Sequence, residues 1–148
     1  MKRAAIVLTT GFEEIEAIAP MDILRRAGVE VDIVGVSANV ATGSHDLTIS
    51  TDKELSNVMN ELYDVLILPG GMPGAKLLKN HQEVQEFVKL HFDAGKLIAA
   101  NCAAPIAIEM SGALKDCHYT CYPGFEKQIA DGHFTGDLVH QDGRVITG

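Results

Sequence analysis

Cys102 falls between the apolar run Leu97-Ile98-Ala99-Ala100 and the segment Ala104 to Met110, which reads as a helix with Pro105 in its first turn. A thiol at such a corner meets unpaired backbone N–H groups and the positive end of a helix dipole, and both favour an anion. Free cysteine ionises near pH ~8.5 and at lower pH in such surroundings, so the placement offers a reactive thiolate at neutral pH. The competing reading is a small buried packing residue. Glu16 is the second candidate. A turn of about 100° per residue puts it on one helical stripe with Phe12, Ala19, Pro20, Ile23 and Ala27. Burying an unpaired carboxylate costs on the order of several kcal/mol. A raised pKa would let Glu16 stay neutral, donate a hydrogen bond to a thiolate and act as a general acid or base. The alternative is a helix-end position from which the side chain escapes to water. Glu13, Glu14, Asp22, Arg25 and Arg26 fall away from that stripe and read as solvated charges.

Pro69-Gly70-Gly71-Met72-Pro73-Gly74-Ala75 follows a strand-like run, and glycine lets a backbone approach closely enough for its N–H groups to form an oxyanion hole. The segment lacks the terminal lysine and hydroxyl of a phosphate loop and the spacing of a dinucleotide fingerprint. Cys117-His118-Tyr119-Thr120-Cys121 crowds three soft ligands together without the usual second pair. On a strand, Cys117, Tyr119 and Cys121 share one face and His118 the other, so packing cysteines are the better reading and no metal is expected.

The elements that must hold these residues alternate. Residues 4 to 8 form a strand, Thr10 to Glu13 a capping box, and a helix reaches Ala27-Gly28. Val29 to Val36 is a second strand, and Ala41 to Thr51 a hairpin or edge excursion. Tyr63 to Leu68 runs into the glycine-rich turn, and His81 to Ala94 is a helix with Val84, Phe87, Val88 and Phe92 inward. Lys96 to Ala100 leads to the cysteine corner, and Asp142-Gly143 turns a hairpin between Val139 and Val145-Ile146. Strand–turn–helix repetition favours a mostly parallel sheet with ligands outside the carboxyl ends of its strands, after Leu8, Leu68 and Ala100.

With 148 residues, 47% of them hydrophobic, the chain supports one core, so residues 1–148 are expected to form a single domain. A formal charge of −8 without a basic run argues against nucleic acid as a partner. No apolar stretch approaches the roughly 20 residues of a membrane span. Three cysteines at irregular spacing without a secretory signal indicate reduced thiols and a cytoplasmic protein.

Taken together, Thr10-Gly11-Phe12-Glu13-Glu14-Ile15-Glu16, Leu68-Pro69-Gly70-Gly71-Met72-Pro73-Gly74-Ala75 and Ala99-Ala100-Asn101-Cys102-Ala103-Ala104-Pro105 resemble the ThiJ/PfpI superfamily, in its Parkinson-disease-associated deglycase-like branch, in order and spacing. The resemblance implies a flavodoxin-like three-layer α/β sandwich of the class I glutamine amidotransferase-like type. It implies Cys102 on a nucleophile elbow, Glu16 hydrogen-bonded to it, and a pocket around Gly70, Gly71 and Ala103, where the amides of Gly71 and Ala103 polarise an aldehyde oxygen. It further implies a homodimer with Ile15 and its neighbours at the interface, and no cofactor.

Departures from the pattern bear on the chemistry. Ala103 replaces the histidine that forms a Cys-His dyad in the protease-like branch, and Tyr122 stands where a histidine is frequent, which leaves proton transfer to Glu16. His45 stands where an arginine lines the pocket in relatives. The chain stops at Val145-Ile146-Thr147-Gly148, where relatives continue through a Gly-Pro turn and a last helix, so it reads as a fragment or a form shortened by that C-terminal helix. Two functions follow. One is a deglycase or glyoxalase acting through Cys102 and Glu16 on α-oxoaldehydes such as methylglyoxal and their early protein adducts, so that the partner is a small aldehyde or a glycated protein. The other is a peroxide sensor or redox-regulated chaperone that oxidises the same cysteine.

Overall fold

The apolar runs that end at glycine, proline or a charged turn become the strands of one sheet in the computed structural model, which describes residues 1–148. β1 (Arg3–Leu8), β2 (Glu30–Gly35), β5 (Lys53–Glu54), β6 (Val65–Leu68), β7 (Leu97–Ala100) and β11 (Val145–Thr147) run parallel. β10 (His140–Asp142) adds the antiparallel edge, giving the order β10-β11-β7-β6-β1-β2-β5. Two small ladders lie outside it: the hairpin of β3 (Val40–Thr42) with β4 (Thr48–Ser50), and the parallel pair β8 (His118–Tyr119) with β9 (His133–Phe134).

β1 shows why the architecture is layered. Its residues Ala4 to Leu8 are all at most 1% exposed, which requires cover on both faces. Ala5 and Val7 join the larger core with Leu66, Leu68, Phe87 and Ile98. Ala4, Ile6 and Leu8 join a smaller core with Phe12, Ala17, Ile33 and Ile67. Helix α1 (Glu14–Arg26) covers the smaller side; α2 (Leu55–Val58) and α4 (Gln82–Asp93) pack on the larger side, where α3 (Gly74–Asn80) also sends Leu78. This is the flavodoxin-like α/β sandwich expected from the sequence.

Several local expectations change. The capping box does not form: the helix starts later than that motif implies, with Glu13 itself as the N-cap of α1, making no side-chain cap bond and giving its N–H to the Gly70 carbonyl at 2.9 Å. The expected helix over Ala104 to Met110 is two short 3-10 turns, Ala104–Ala107 and Glu109–Ser111, closed by Gly112 at φ 88°. Amides there bond three residues back, Ile106 to Ala103 and Ile108 to Pro105. The buried side of α1 also differs from the expected stripe. Glu14 and Ala17 are buried, Met21 and Leu24 pack against the smaller core, and Ile23 remains 64% exposed. Helix α4 hides a residue that its apolar periodicity did not single out. His91 is wholly buried, with Nε2 accepting the Tyr63 N–H at 3.0 Å and Nδ1 3.0 Å or less, at 2.8 Å, from the Phe87 carbonyl. That pairing defines a neutral imidazole with its proton on Nδ1.

β1 neighbours β2 on one side and β6 on the other, so the winding reverses there. The turns that follow β1 and β6 flank the resulting crevice, and the turn after β7 lies one strand further on.

Candidate active site

Cys102 occupies that third turn at φ 56°, a conformation costing a non-glycine residue on the order of 1–3 kcal/mol. The surroundings over-determine it. Its N–H donates to the Gly148 carbonyl at 2.7 Å, its carbonyl accepts the Tyr122 N–H at 2.8 Å, and Asn101 accepts the Ala104 N–H at 2.9 Å. A corner held at both ends projects the side chain away from the strand axis.

Glu16 reaches the same corner from α1. Its Oε2 accepts the Gly70 N–H at 2.9 Å. The missing side chain of Gly70 is what makes room for the meeting: a Cβ there would lie 2.6 Å from Glu16 Oε2 and 2.7 Å from Cys102 Cβ. Gly71, at φ 94°, could carry no Cβ either, because one would collide with the Glu13 nitrogen. The two glycines thus have separate duties. Gly70 gives its N–H to the carboxyl and so has none to offer an oxyanion; Gly71 and Ala103 turn theirs toward the sulfur.

Burial pushes the Cys102 thiol up, the neighbouring Glu16 charge and hydrogen bond push it further, and the Ala103 and Gly71 amides pull it partly back. Burial likewise raises the Glu16 carboxyl, against the hydrogen bonds from Cys102 and Gly70, with the charge of Glu13 adding to the rise. The two groups face each other across Gly70, and the charge of Glu16 raises the thiol. The net direction for the thiol is upward, so the corner does not give the more readily ionised thiol that its position between strand and helix suggested; the Ala103 and Gly71 amides offset only part of the burial and of the Glu16 charge. A four-residue 3-10 turn supplies little of the dipole expected from a full helix.

A cavity of about 300 Å³ opens beside the pair, lined by Glu16, Asn101, Cys102, Cys121, Tyr122, Pro123 and the loop from Phe134 to Leu138. Tyr122 faces it, 58% exposed. His45 does not line it. Its Nδ1 lies 3.3 Å from Glu14 and 3.5 Å from Glu13, on the hairpin that Glu14 anchors by accepting the N–H groups of His45 at 2.9 Å and Leu47 at 3.2 Å. Glu14, read from the sequence as a solvated charge, is thus 4% exposed and structural. Cys117 and Cys121 are buried while Cys102 is half-buried, and all three are free thiols. His118 is exposed while Cys117, Tyr119 and Cys121 are buried, although only His118 and Tyr119 are in a strand.

Fold and site together define a doubly wound α/β sandwich with a half-buried thiol at the turn after an inner parallel strand. The model of the DJ-1/PfpI family matches residues 2–148, and the chain belongs to that family, in the DJ-1-like branch of the ThiJ/PfpI superfamily. Protein dj-1beta of Drosophila melanogaster is 34% identical over 99% of this chain and 80% of its own length. The longer DJ-1 homolog B of Arabidopsis thaliana is 35% identical, and the chain spans 34% of it. A Pyrococcus abyssi protein described as a deglycase is 32% identical over 86% of this chain and 76% of its own. Among solved structures, a cysteine-to-alanine mutant of a DJ-1 superfamily protein from Salmonella typhimurium superposes with a TM-score of 0.96 at 35% identity, covering all of this chain and 81% of that one. Oxidized DJ-1 of Toxoplasma gondii gives 0.94 at 33% identity, covering 100% and 82%.

Proposed function

We propose that the chain is a cysteine-dependent, cofactor-independent deglycase or glyoxalase for α-oxoaldehydes and their early adducts on proteins. One observation carries the reading: Glu16 and Cys102 meet over the side-chain-free Gly70, with the Gly71 and Ala103 amides aimed at the sulfur. The relative described as a deglycase supports it.

In this reading the Cys102 thiolate attacks the aldehyde carbon while Glu16 holds the proton the thiol has lost. Gly71 and Ala103 stabilise the developing alkoxide, which takes the proton and closes the hemithioacetal. Glu16 then removes the proton from the former aldehyde carbon, and the hydroxyl proton of that carbon passes to the neighbouring carbonyl oxygen to give an enediolate. Glu16 returns its proton to the neighbouring carbon, leaving a 2-hydroxy thioester with the same atoms as the hemithioacetal. Water hydrolyses the thioester, releasing lactate from methylglyoxal and regenerating the thiol. One carbon is oxidised as its neighbour is reduced, so the overall change is addition of water and needs no external redox partner. On a hemiaminal adduct the thiolate bonds to the carbinol carbon as its C–N bond breaks, and the proton held by Glu16 goes to the departing amine. Tyr122, at the cavity mouth, contacts the substrate. The exposed Ile15 and Ile23 of α1 suit a homodimer interface, and three free thiols suit a reducing, cytoplasmic setting. No helix is long and apolar enough to cross a membrane.

Metal-free protein should convert methylglyoxal to lactate at neutral pH, and Cys102→Ser should lower kcat/KM by about 10³-fold or more. Equal rates in the two proteins would refute the reading. A second reading, a peroxide sensor or redox-regulated chaperone, is favoured by the greater exposure of Cys102 than of the other thiols and by the oxidized relative. Mild peroxide should then add two oxygens to Cys102 before Cys117 or Cys121 reacts, as peptide mass spectrometry would show.

A further inference from the structure

Three histidines that take no part in the Cys102 corner gather beside the antiparallel edge of the sheet. His118 and His133 stand directly opposite each other in the β8–β9 ladder, with ring centres 4.9 Å apart. His140, on β10, has its ring centre 6.1 Å from that of His118. Two carboxylates back them. Asp142 Oδ2 accepts the His118 N–H at 2.8 Å and lies 3.5 Å from its Nδ1; Asp137 Oδ2 lies 3.1 Å from Nδ1 of His140.

Imidazole nitrogens bind a first-row ion at roughly 2.0–2.1 Å, which puts the ring centres of two ligands in tetrahedral geometry about 5 Å apart. The observed spacings are 4.9 and 6.1 Å. Metal-binding histidines characteristically give their other ring N–H to a carboxylate, which orients the ring and strengthens the ligand. Asp137 stands at that place for His140, leaving its Nε2 lone pair for an ion, and Asp142, held by the His118 N–H, lies 3.5 Å from the His118 Nδ1. Imidazole with carboxylate support suits Zn²⁺, Cu²⁺ or Ni²⁺ and is a poor match for Ca²⁺ or Mg²⁺.

We propose that His118, His133 and His140 form a surface site for a divalent first-row transition ion, of which Zn²⁺ is the probe of choice, with Asp137 and Asp142 as outer partners. The Nε2 atoms must converge by side-chain rotation, for which the His118 side chain is 58% and the His140 side chain 29% open; exposed rotamers exchange on a fast timescale. His133 and His140 bracket the loop that supplies Phe134, Gly136, Asp137 and Leu138 to the wall of the Cys102 cavity. An ion held by both histidines closes that loop at its base. The ligand atoms of Glu13, Glu14 and His45 lie within 4.8 Å of one another, but the Glu14 oxygens are already taken by hairpin amides, and that trio serves as the control.

Competition between the protein and a chromogenic zinc chelator tests the site on a Cys102→Ser background, which removes the accessible thiol. One Zn²⁺ per chain is expected. His133→Ala and His140→Ala should each weaken binding by more than 10-fold, Asp137→Asn by about 10-fold, and His45→Ala not at all. Co²⁺ should show tetrahedral d–d absorption without thiolate charge transfer, and Zn²⁺ should protect amides 134–139 from hydrogen exchange except in the His133→Ala, His140→Ala double variant. Unchanged affinity in that double variant, checked as folded by circular dichroism, would overturn the proposal. So would a thiolate band, or a loss confined to His45→Ala.

Discussion

Glu14 and Glu16 stand two residues apart on one helix, and their surroundings drive them in opposite directions. Burial raises the Glu14 carboxyl, but the amides of Leu47 and His45, with its own backbone and the His45 ring, outweigh that and hold it low. Burial raises Glu16 too, and there the hydrogen bonds from Cys102 and Gly70 fail to compensate, so it stays high. The number of donors aimed at a carboxyl, more than its depth, decides whether it is a fixed anion or a movable proton. One residue fastens a hairpin and the other faces a thiol across Gly70.

The largest effect on that contrast is expected from Glu16→Gln. Loss of the proton carrier should lower kcat/KM by about 10²–10⁴-fold. The thiol should meanwhile titrate at lower pH, because the charge and hydrogen bond of Glu16 are among the causes that hold it up. A thiol easier to ionise in a protein slower to turn over separates proton transfer from nucleophile activation. Unchanged turnover would reduce Glu16 to a packing group. Next in size is Gly70→Ala. The added carbon lands on both Glu16 Oε2 and Cys102 Cβ, so the two must part; turnover should fall by about 10–100-fold, since small misplacements of reacting groups are costly. Overpacking should cost about 1–3 kcal/mol of stability as well, read from urea denaturation.

Glu14→Gln should act on stability and leave the thiol titration where it is. Its folded-state pKa lies below the unfolded one, so its contribution is complete above the ordinary carboxylate range and disappears as pH falls through the folded value. The wild-type advantage in thermal midpoint over Glu14→Gln should therefore be present at neutral pH and vanish in acid. A difference that grows with acidity would show the carboxylate to be poorly satisfied.

The same pair marks how far the residues alone could be read. Strands β1, β6 and β7 and the helix α4 were all expected, because a buried parallel strand must be continuously apolar and an amphipathic helix must repeat every 3.6 residues. Glu16 near the start of α1 and the turns carrying Gly70-Gly71 and Cys102 were expected to meet, since strand ends in such a sheet converge by construction. Glu14 was misread because a buried carboxylate is tolerable only with partners, and its partners lie about thirty residues away in a hairpin whose docking has no local signature. His91 escaped for the same reason: its acceptor role depends on the Tyr63 amide, 28 positions earlier. α3 begins inside the glycine-rich turn at Gly74, where composition argues for a loop. The corner after Cys102 closed into 3-10 turns, an outcome set by how tightly the chain must bend beneath the sheet, to which helix propensity is blind.

The smallest predicted effect tests whether contact or distant charge governs Glu16. Glu13 makes no hydrogen bond to it and enters last among its influences, as a negative charge that raises the Glu16 pKa. Its own side chain is 28% exposed, so water screens much of that repulsion. Removing the charge in Glu13→Gln must lower the Glu16 pKa, and the corresponding limb of the kcat/KM–pH profile must move to more acid pH. A partly screened charge pair is worth about 0.2–1 kcal/mol, so the displacement should be roughly 0.2–0.7 pH unit, and it should shrink in high salt. Burial and the contact with Cys102 are untouched by this change, so the limb should keep most of its elevation. A shift of two units or more would mean that the repulsion between neighbouring carboxylates, and not the dry pocket over Gly70, is what raises the Glu16 pKa, and the contrast with Glu14 would then rest on charge spacing along the helix instead of on donors.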